Sequence, residues 1–224
     1  MEVATSAALG RCLEAIYCMA DEGEQIRPSR LARWLNLTRP TVTVTLQRLR
    51  AMGLVRAETR GTVALTAAGT GQAMRIVRRH RIIECWLVDV IGFDWIRADE
   101  EADRLQHAFS DDLVDCLHAS IGLPASCPHG NPIPGESAHP TGQPLSALAI
   151  GTRARVVRIS EVAEHEAPAL LRYLALEGIR PGKQLRLIGH HQGSGSLDLD
   201  LGDHAASLSD SLGWKVWVEV TDQD

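Results

Sequence analysis

No histidine occurs before residue 80. From there, His80 and Glu84 stand four apart, on one face of a helix. Asp103, Gln106 and His107 follow at i, i+3 and i+4, again one helix face. Two antiparallel helices presenting such faces can enclose a cation. A mixed nitrogen and oxygen donor set suits octahedral Mn(II) or Fe(II) better than structural Zn(II), which takes four ligands and favours thiolate. A partly buried, ion-paired His80 would give the same local pattern. A second constellation is Ser126-Cys127-Pro128-His129-Gly130-Asn131-Pro132-Ile133-Pro134-Gly135. Cys127 and His129, separated by one proline, can aim at a single ion, and the flanking Pro and Gly hold the loop in one shape. The plainer alternative is a free thiol in a proline-rich linker. His118, His139, His190, His191 and His204 read as surface residues.

The third constellation is basic. Residues 27–60 hold eight Arg, among them Arg27, against one acid, Glu58. Within them, Thr38-Arg39-Pro40-Thr41-Val42-Thr43-Val44-Thr45-Leu46-Gln47-Arg48-Leu49-Arg50 reads as a helix with Thr38 as N-cap and Pro40 in the first turn. Val42, Leu46 and Leu49 repeat at i, i+4, i+7 and face a core. Thr41, Thr43, Thr45, Gln47 and Arg48 face outward, where hydroxyls, an amide and a guanidinium can meet bases and phosphates. Arg60 stands at the tip of a following hairpin.

The elements that position these residues can be read from periodicity. Leu9, Leu13, Ile16, Tyr17 and Ala20 give a helix that ends by Gly23. Pro28–Leu35 is a short second helix, and Pro40 to about Met52 the third. Leu54–Glu58 and Val63–Thr66 form a hairpin around Thr59-Arg60-Gly61-Thr62. That order is a winged helix-turn-helix. Residues 67–91 are expected as one long helix and 97–120 as another, with a break at Gly92-Phe93-Asp94. Residues 122–146 carry six of the ten prolines and read as a linker. Strands at 153–159, 184–188, 196–201 and 215–220, with a helix near 168–177, suggest a small barrel.

The net charge of −5 hides a split. Residues 1–81 net +7 and residues 82–224 net −12. A basic front and an acidic rear point to parts with different partners. At 45% hydrophobic the chain can bury real cores, which excludes collagen-like and disordered classes. No apolar run approaches a membrane span, and no secretory leader is evident. Five cysteines with no CxxC pair fit reduced thiols in a cytoplasm.

These residues together resemble the diphtheria-toxin-repressor and manganese-transport-regulator family of metal-dependent repressors. The likeness lies in Leu13-Glu14-Ala15-Ile16-Tyr17, Pro40-Thr41-Val42, Leu49 to Val55, Arg79-His80-Arg81, Glu84, Ile91-Gly92, His107 with Ser110-Asp111, and most specifically Cys127 to Pro134. It implies a mainly α chain with a small β domain. A winged helix-turn-helix over 1–72 would precede a helical metal-binding and dimerisation domain over 73–146, and an SH3-like (FeoA-like) domain would occupy 147–224. It implies two metal sites per subunit for Mn(II) or Fe(II). Glu14, His80, Asp103, Gln106 and His107 would form one; Glu84, Cys127, His129 and Glu166 the other, with Glu164 or His165 as substitutes for Glu166. Arg27, Thr38, Arg39, Pro40, Thr41, Thr43, Gln47, Arg48 and Arg60 would meet DNA. The chain would be a cytoplasmic homodimer on a palindromic operator, its interface drawn from residues 82–120 with Trp86 and Trp95 as anchors.

Two residues depart from the pattern: Gln106 stands where relatives commonly have Glu, and Arg11, which cannot ligate, where they often have Asp or Met. A regulator with degenerate metal sites is one competing reading. A metalloenzyme is another, but no nucleophile-base pair accompanies the cluster, and an enzyme leaves the Arg-rich front unexplained.

Overall fold

The computed structural model describes residues 6–136, 142–162 and 168–221. The chain forms two compact units. The first takes the chain up to Phe93 together with Arg97–Pro124 and Ile133–Gly135. The second takes Asp94–Ile96, Ala125–Pro132 and the chain from Glu136 on.

The first unit opens with α1 (Ala7–Asp21), α2 (Pro28–Trp34) and α3 (Arg39–Ala51), then a hairpin of β1 (Val55–Ala57) and β2 (Val63–Leu65). Local chemistry sets the boundaries. Pro28 opens α2, where its missing N–H costs nothing. Thr38 caps α3, its Oγ1 accepting from the Thr41 N–H at 3.3 Å. Val42, Leu46 and Leu49 are fully or almost fully buried, as their spacing predicts. Each contributes roughly 1.5–3 kcal/mol of apolar burial. Leu13, Ile16 and Met19 of α1, a helix that packs against α3, are buried as well. The hairpin pairs Val55 with Leu65 and Ala57 with Val63, and Arg60 and Gly61 at its tip take left-handed backbone (φ 56° and 76°).

Helix α4 (Ala67–Cys85) follows directly, capped by Thr66. Gly69 looks out of place in a helix, but a Cβ there would lie 1.9 Å from the Leu54 carbonyl oxygen. Only glycine lets α4 lie against the entry to β1. The helix expected to run to Ile91 widens into a π turn over Trp86–Val90, closed by Ile91 N–H to Trp86 O at 3.2 Å. The helix expected over 97–120 is two helices, α5 (Ala98–Leu105) and α6 (Asp111–Ser120). Ser110 is the reason: its Oγ caps a new helix by accepting from the Leu113 N–H, with Asp111 and Asp112 in the first turn. Trp86, Phe93, Leu105 and Phe109 pack around Ile83, Leu87 and Ala102. His118, expected on the surface, is buried on α6, with Nε2 3.0 Å from Pro124 O and Nδ1 3.4 Å from Arg78.

The second unit is an antiparallel sheet of β3 (Gln143–Pro144), β4 (Arg153–Ile159), β5 (Gln184–His191), β6 (Ser196–Asp200), β7 (Ala205–Ser209) and β8 (Val216–Val220), in the order β3-β8-β4-β5-β6-β7. Helix α7 (Pro168–Leu176) adds Leu170, Leu171 and Leu174 to its core. Register shifts at Val156/Arg158 and Leu187/Gly189 bend the two central strands, as the tight curl of an SH3-like sheet requires. Strand β7 escaped the sequence reading because Ala205–Ser209 carries only two buried side chains, Ala206 and Leu208.

Candidate metal centre and nucleic-acid interface

Within the first unit, one buried polar cluster collects residues from α1, α4, α5 and the turn after α5. His80 lies at its middle, 4% exposed. Its Nδ1 is 3.6 Å from Glu14 Oε1. Its Nε2 is 3.3 Å from Asp99 Oδ1 and 3.9 Å from Glu84 Oε2. Gln106 extends the cluster, its Nε2 donating to Asp103 Oδ1 at 2.8 Å and to Glu14 Oε2 at 3.4 Å. Arg79 braces this turn by donating to the Gln106 carbonyl at 3.1 Å and to Asp111.

The structure therefore brings together Glu14, His80, Glu84, Asp103 and Gln106. His107 is exposed on the turn, and Arg11 is exposed on α1. Glu166, with Glu164 and His165, lies outside the described residues. Asp99 is the member that spacing arguments missed. It stands at i−4 from Asp103, on the face that also carries Gln106, but the run Asp99-Glu100-Glu101 disguises it as a solvated acidic patch.

Three carboxylates converging on one imidazole, with Asp103 beyond Gln106, make a strongly negative, poorly hydrated pocket. Burial is the largest influence on His80 and works against its charge. The hydrogen bond to Asp99 and the charges of Glu84, Glu14 and Asp99 outweigh it, so the ring is held protonated well above its ordinary value. His80 Nδ1 and Gln106 Oε1 are buried without a hydrogen-bond partner among the described residues. Orphaned buried polar atoms of this kind carry a desolvation cost that a bound ligand would offset. His80, Glu84 and Asp99 each offer a donor atom, all within 4.8 Å of one another. Oxygen donors with one imidazole fit a hard-to-borderline divalent ion.

The second unit holds Cys127 and His129. The segment expected as a linker is, over residues 125–132, a tight loop strapped to the sheet. Cys127 N–H bonds Asn131 O, Gly130 N–H bonds Cys127 O, and Ile159 N–H of β4 bonds His129 O. Gly130 has φ 86°, and a Cβ there would lie 2.0 Å from Val157 O. Asn131 Oδ1 accepts from Arg158 Nε at 2.6 Å, and its Nδ2 donates to Ile159 O. His129 is fully buried, its Nε2 3.1 Å from Trp95 O and its ring against Trp95. Trp95 Nε1 donates to Pro128 O. Cys127 is 5% exposed and reduced. The C-P-H pair is thus presented by a rigid loop.

In the basic segment, Arg27, Thr38, Arg39, Pro40, Thr41, Thr43, Gln47, Arg48 and Arg60 are all exposed. Two hydroxyls are already committed: Thr43 Oγ1 donates to Arg39 O at 2.9 Å, and Thr45 Oγ1 to Thr41 O at 3.0 Å. Thr38 and Thr41 hydroxyls bond each other at 2.8 Å.

A winged helix, a helical region with a buried donor cluster and a curled β domain define a metal-responsive DNA-binding regulator. Residues 5–63 match the iron-dependent repressor N-terminal DNA-binding domain, 66–135 that repressor's metal-binding and dimerisation domain, and 143–220 the FeoA domain. The chain belongs to the diphtheria-toxin-repressor and manganese-transport-regulator family of metal-dependent repressors. It is 35% identical over 150 residues to the iron-dependent repressor IdeR of Mycobacterium leprae, a match covering 67% of this chain and 64% of that repressor. It is 29% identical to the diphtheria toxin repressor of Corynebacterium jeikeium, over 92% of this chain and 94% of that one. Among solved structures, a manganese-dependent transcriptional repressor in complex with manganese superimposes with a TM-score of 0.84 at 31% identity, covering 95% of this chain and all of the other.

Proposed function

We propose that this chain is a homodimeric transcriptional repressor whose operator binding is activated by Mn(II) or Fe(II). The observation that carries the reading is the cluster around His80. Glu14 belongs to α1, which packs against α2 and α3, the elements of the DNA-reading domain. Its partners His80 and Gln106 belong to α4 and to the turn after α5, and His80 in turn pairs with Asp99 of α5. An ion held by Glu14, His80, Asp99 and their neighbours would neutralise the excess carboxylate charge and tie the reading domain to the helices behind it. The family resemblance assigns a second site to Cys127 and His129, with Glu84 and an acid near Glu166. A thiolate there would favour the softer of the two ions and expose the site to oxidation.

The dimer face is drawn from the exposed apolar residues of the helical region, Val90, Ile91 and Leu113, beside the half-buried Trp86. A two-fold dimer reads a palindromic operator, with half-sites about one helical turn apart. No helix among the described residues is long and apolar enough to cross a membrane, and the proposed setting is the cytoplasm. No catalytic role is assigned, because the donors around His80 are arranged to hold an ion rather than to activate a nucleophile.

The test is fluorescence anisotropy on duplexes selected from a randomised library, with chelator and then with Mn(II) or Fe(II). Metal should raise affinity at least tenfold, and His80→Ala should abolish that gain. Equal affinity in chelator and in both metals defeats the proposal.

A further inference from the structure

We infer that Val44 is a specificity-determining residue that reads the C5-methyl group of a thymine in each operator half-site. This rests on the DNA-binding reading above. The buried residues Val42, Leu46 and Leu49 fix the inward direction of α3. At about 100° per residue, Val44 points within about 20° of the opposite direction, the outermost line of the helix. Pro40 and Ala51 lie close to that line, and Gln47 and Arg48 flank it. Val44 is 47% exposed. A β-branched residue on an exposed helix face gains nothing from packing and has poor helix propensity, so local stability does not explain it.

The threonines that give α3 its polar look cannot take the same role. Thr43 and Thr45 spend their hydroxyl hydrogens on carbonyls of the helix itself, and Thr38 and Thr41 are engaged with each other. What the helix presents at its centre is therefore apolar: Val44, with the Pro40 ring one turn before it. Exposed arginines lie on both sides of this patch, Arg48 close on one flank and Arg50 and Arg39 farther round the helix on the other. An apolar point flanked on both sides by cations matches a major groove, where phosphates flank the base edges. The one apolar feature on those edges is the thymine methyl. Gln47, three residues on, is placed to hydrogen-bond a neighbouring base.

The experiment pairs a protein change with a DNA change. The full chain, loaded with Mn(II), is used to select half-sites from a randomised duplex. Each thymine of the selected half-site is then replaced by deoxyuridine, which removes only the methyl. One position should weaken wild-type binding roughly fourfold, the worth of one buried methyl. The same replacement should cost Val44→Ala nothing, while a phosphate-contact variant such as Arg39→Ala stays sensitive to it. If Val44→Ala responds to every deoxyuridine as the wild type does, or if no thymine methyl matters, the inference fails and the DNA-binding reading stands. If Mn(II)-loaded protein selects no duplex, both fall.

Discussion

The proton on His80 stands in for the ion, and this can be measured. His80 lies between Glu14 on one side and Asp99 and Glu84 on the other. Its folded-state pKa is raised well above 6.5, the acidic neighbours prevailing over burial. Protonated His80 therefore stabilises the metal-free fold fully below about pH 6.5, and that contribution drains away as pH rises through the folded value. A divalent ion must displace this proton to use the ring as a ligand. Below the folded pKa, metal affinity should fall about tenfold, or about 1.4 kcal/mol, for each unit of pH decrease. Calorimetric titration of Mn(II) at pH 7, in two buffers of different ionisation enthalpy, should show about one proton released on filling this site. His80→Gln should release none there. Chemical denaturation should show the wild-type metal-free chain losing stability from about pH 6.5 upward relative to His80→Gln, and the Mn(II)-loaded chain gaining it. No proton release at pH 7, or metal-free stability that climbs with pH relative to the variant, would refute the argument.

Gly69→Ala should destabilise the first unit by about 2 kcal/mol or more, against helix propensity, because its Cβ would meet the Leu54 carbonyl oxygen at 1.9 Å. Gly71→Ala, with nothing within 4 Å, should instead gain about 0.5–1 kcal/mol in the same denaturant titration. Burial pushes the Cys12 thiol up to about 12, so in the folded chain at pH 8 an alkylating agent should label exposed Cys116 and spare Cys12, as read by peptide mass spectrometry. Gln106→Glu places a third carboxylate between Asp103 and Glu14. It should lower the melting temperature of the metal-free chain and widen the gap to the Mn(II)-loaded one.

The recognition helix was legible because its periodicity, cap and charge agree, and all three are local properties. The paired faces of His80 with Glu84 and of Asp103 with Gln106 were legible for the same reason. Three things were not. The split of 97–120 into α5 and α6 hangs on Ser110, a cap signal that the apolar spacing on either side overrides when read alone. Asp99 joins the cluster because it shares the α5 face of Asp103 and Gln106, and its neighbours Glu100 and Glu101 hide that face in the sequence. The loop at 125–132 looked like a linker because Pro and Gly also punctuate disordered chain. Its rigidity comes from β4, more than twenty residues away, through Ile159 N–H and Arg158.

Activation requires more than affinity: an ion that bound both arrangements of the reading domain equally would shift nothing. The differential contact must therefore come from a ligand that moves with the reading domain, and Glu14 is the cluster member on α1. It lies 3.6 Å from His80 and accepts a long 3.4 Å hydrogen bond from Gln106, 92 residues away in sequence. Both are weaker than a coordination bond to a divalent ion. A tenfold activation needs only about 1.4 kcal/mol of difference, well within one such ligand, and by linkage operator DNA must tighten the metal by the same factor. Glu14→Gln should therefore separate the two properties. His80, Glu84 and Asp99 remain to hold Mn(II), so calorimetry should still show metal bound at this centre with modestly reduced affinity. Anisotropy should show Mn(II) no longer raising DNA affinity. A variant that keeps full activation would mean the signal reaches α3 by a route that does not pass through α1.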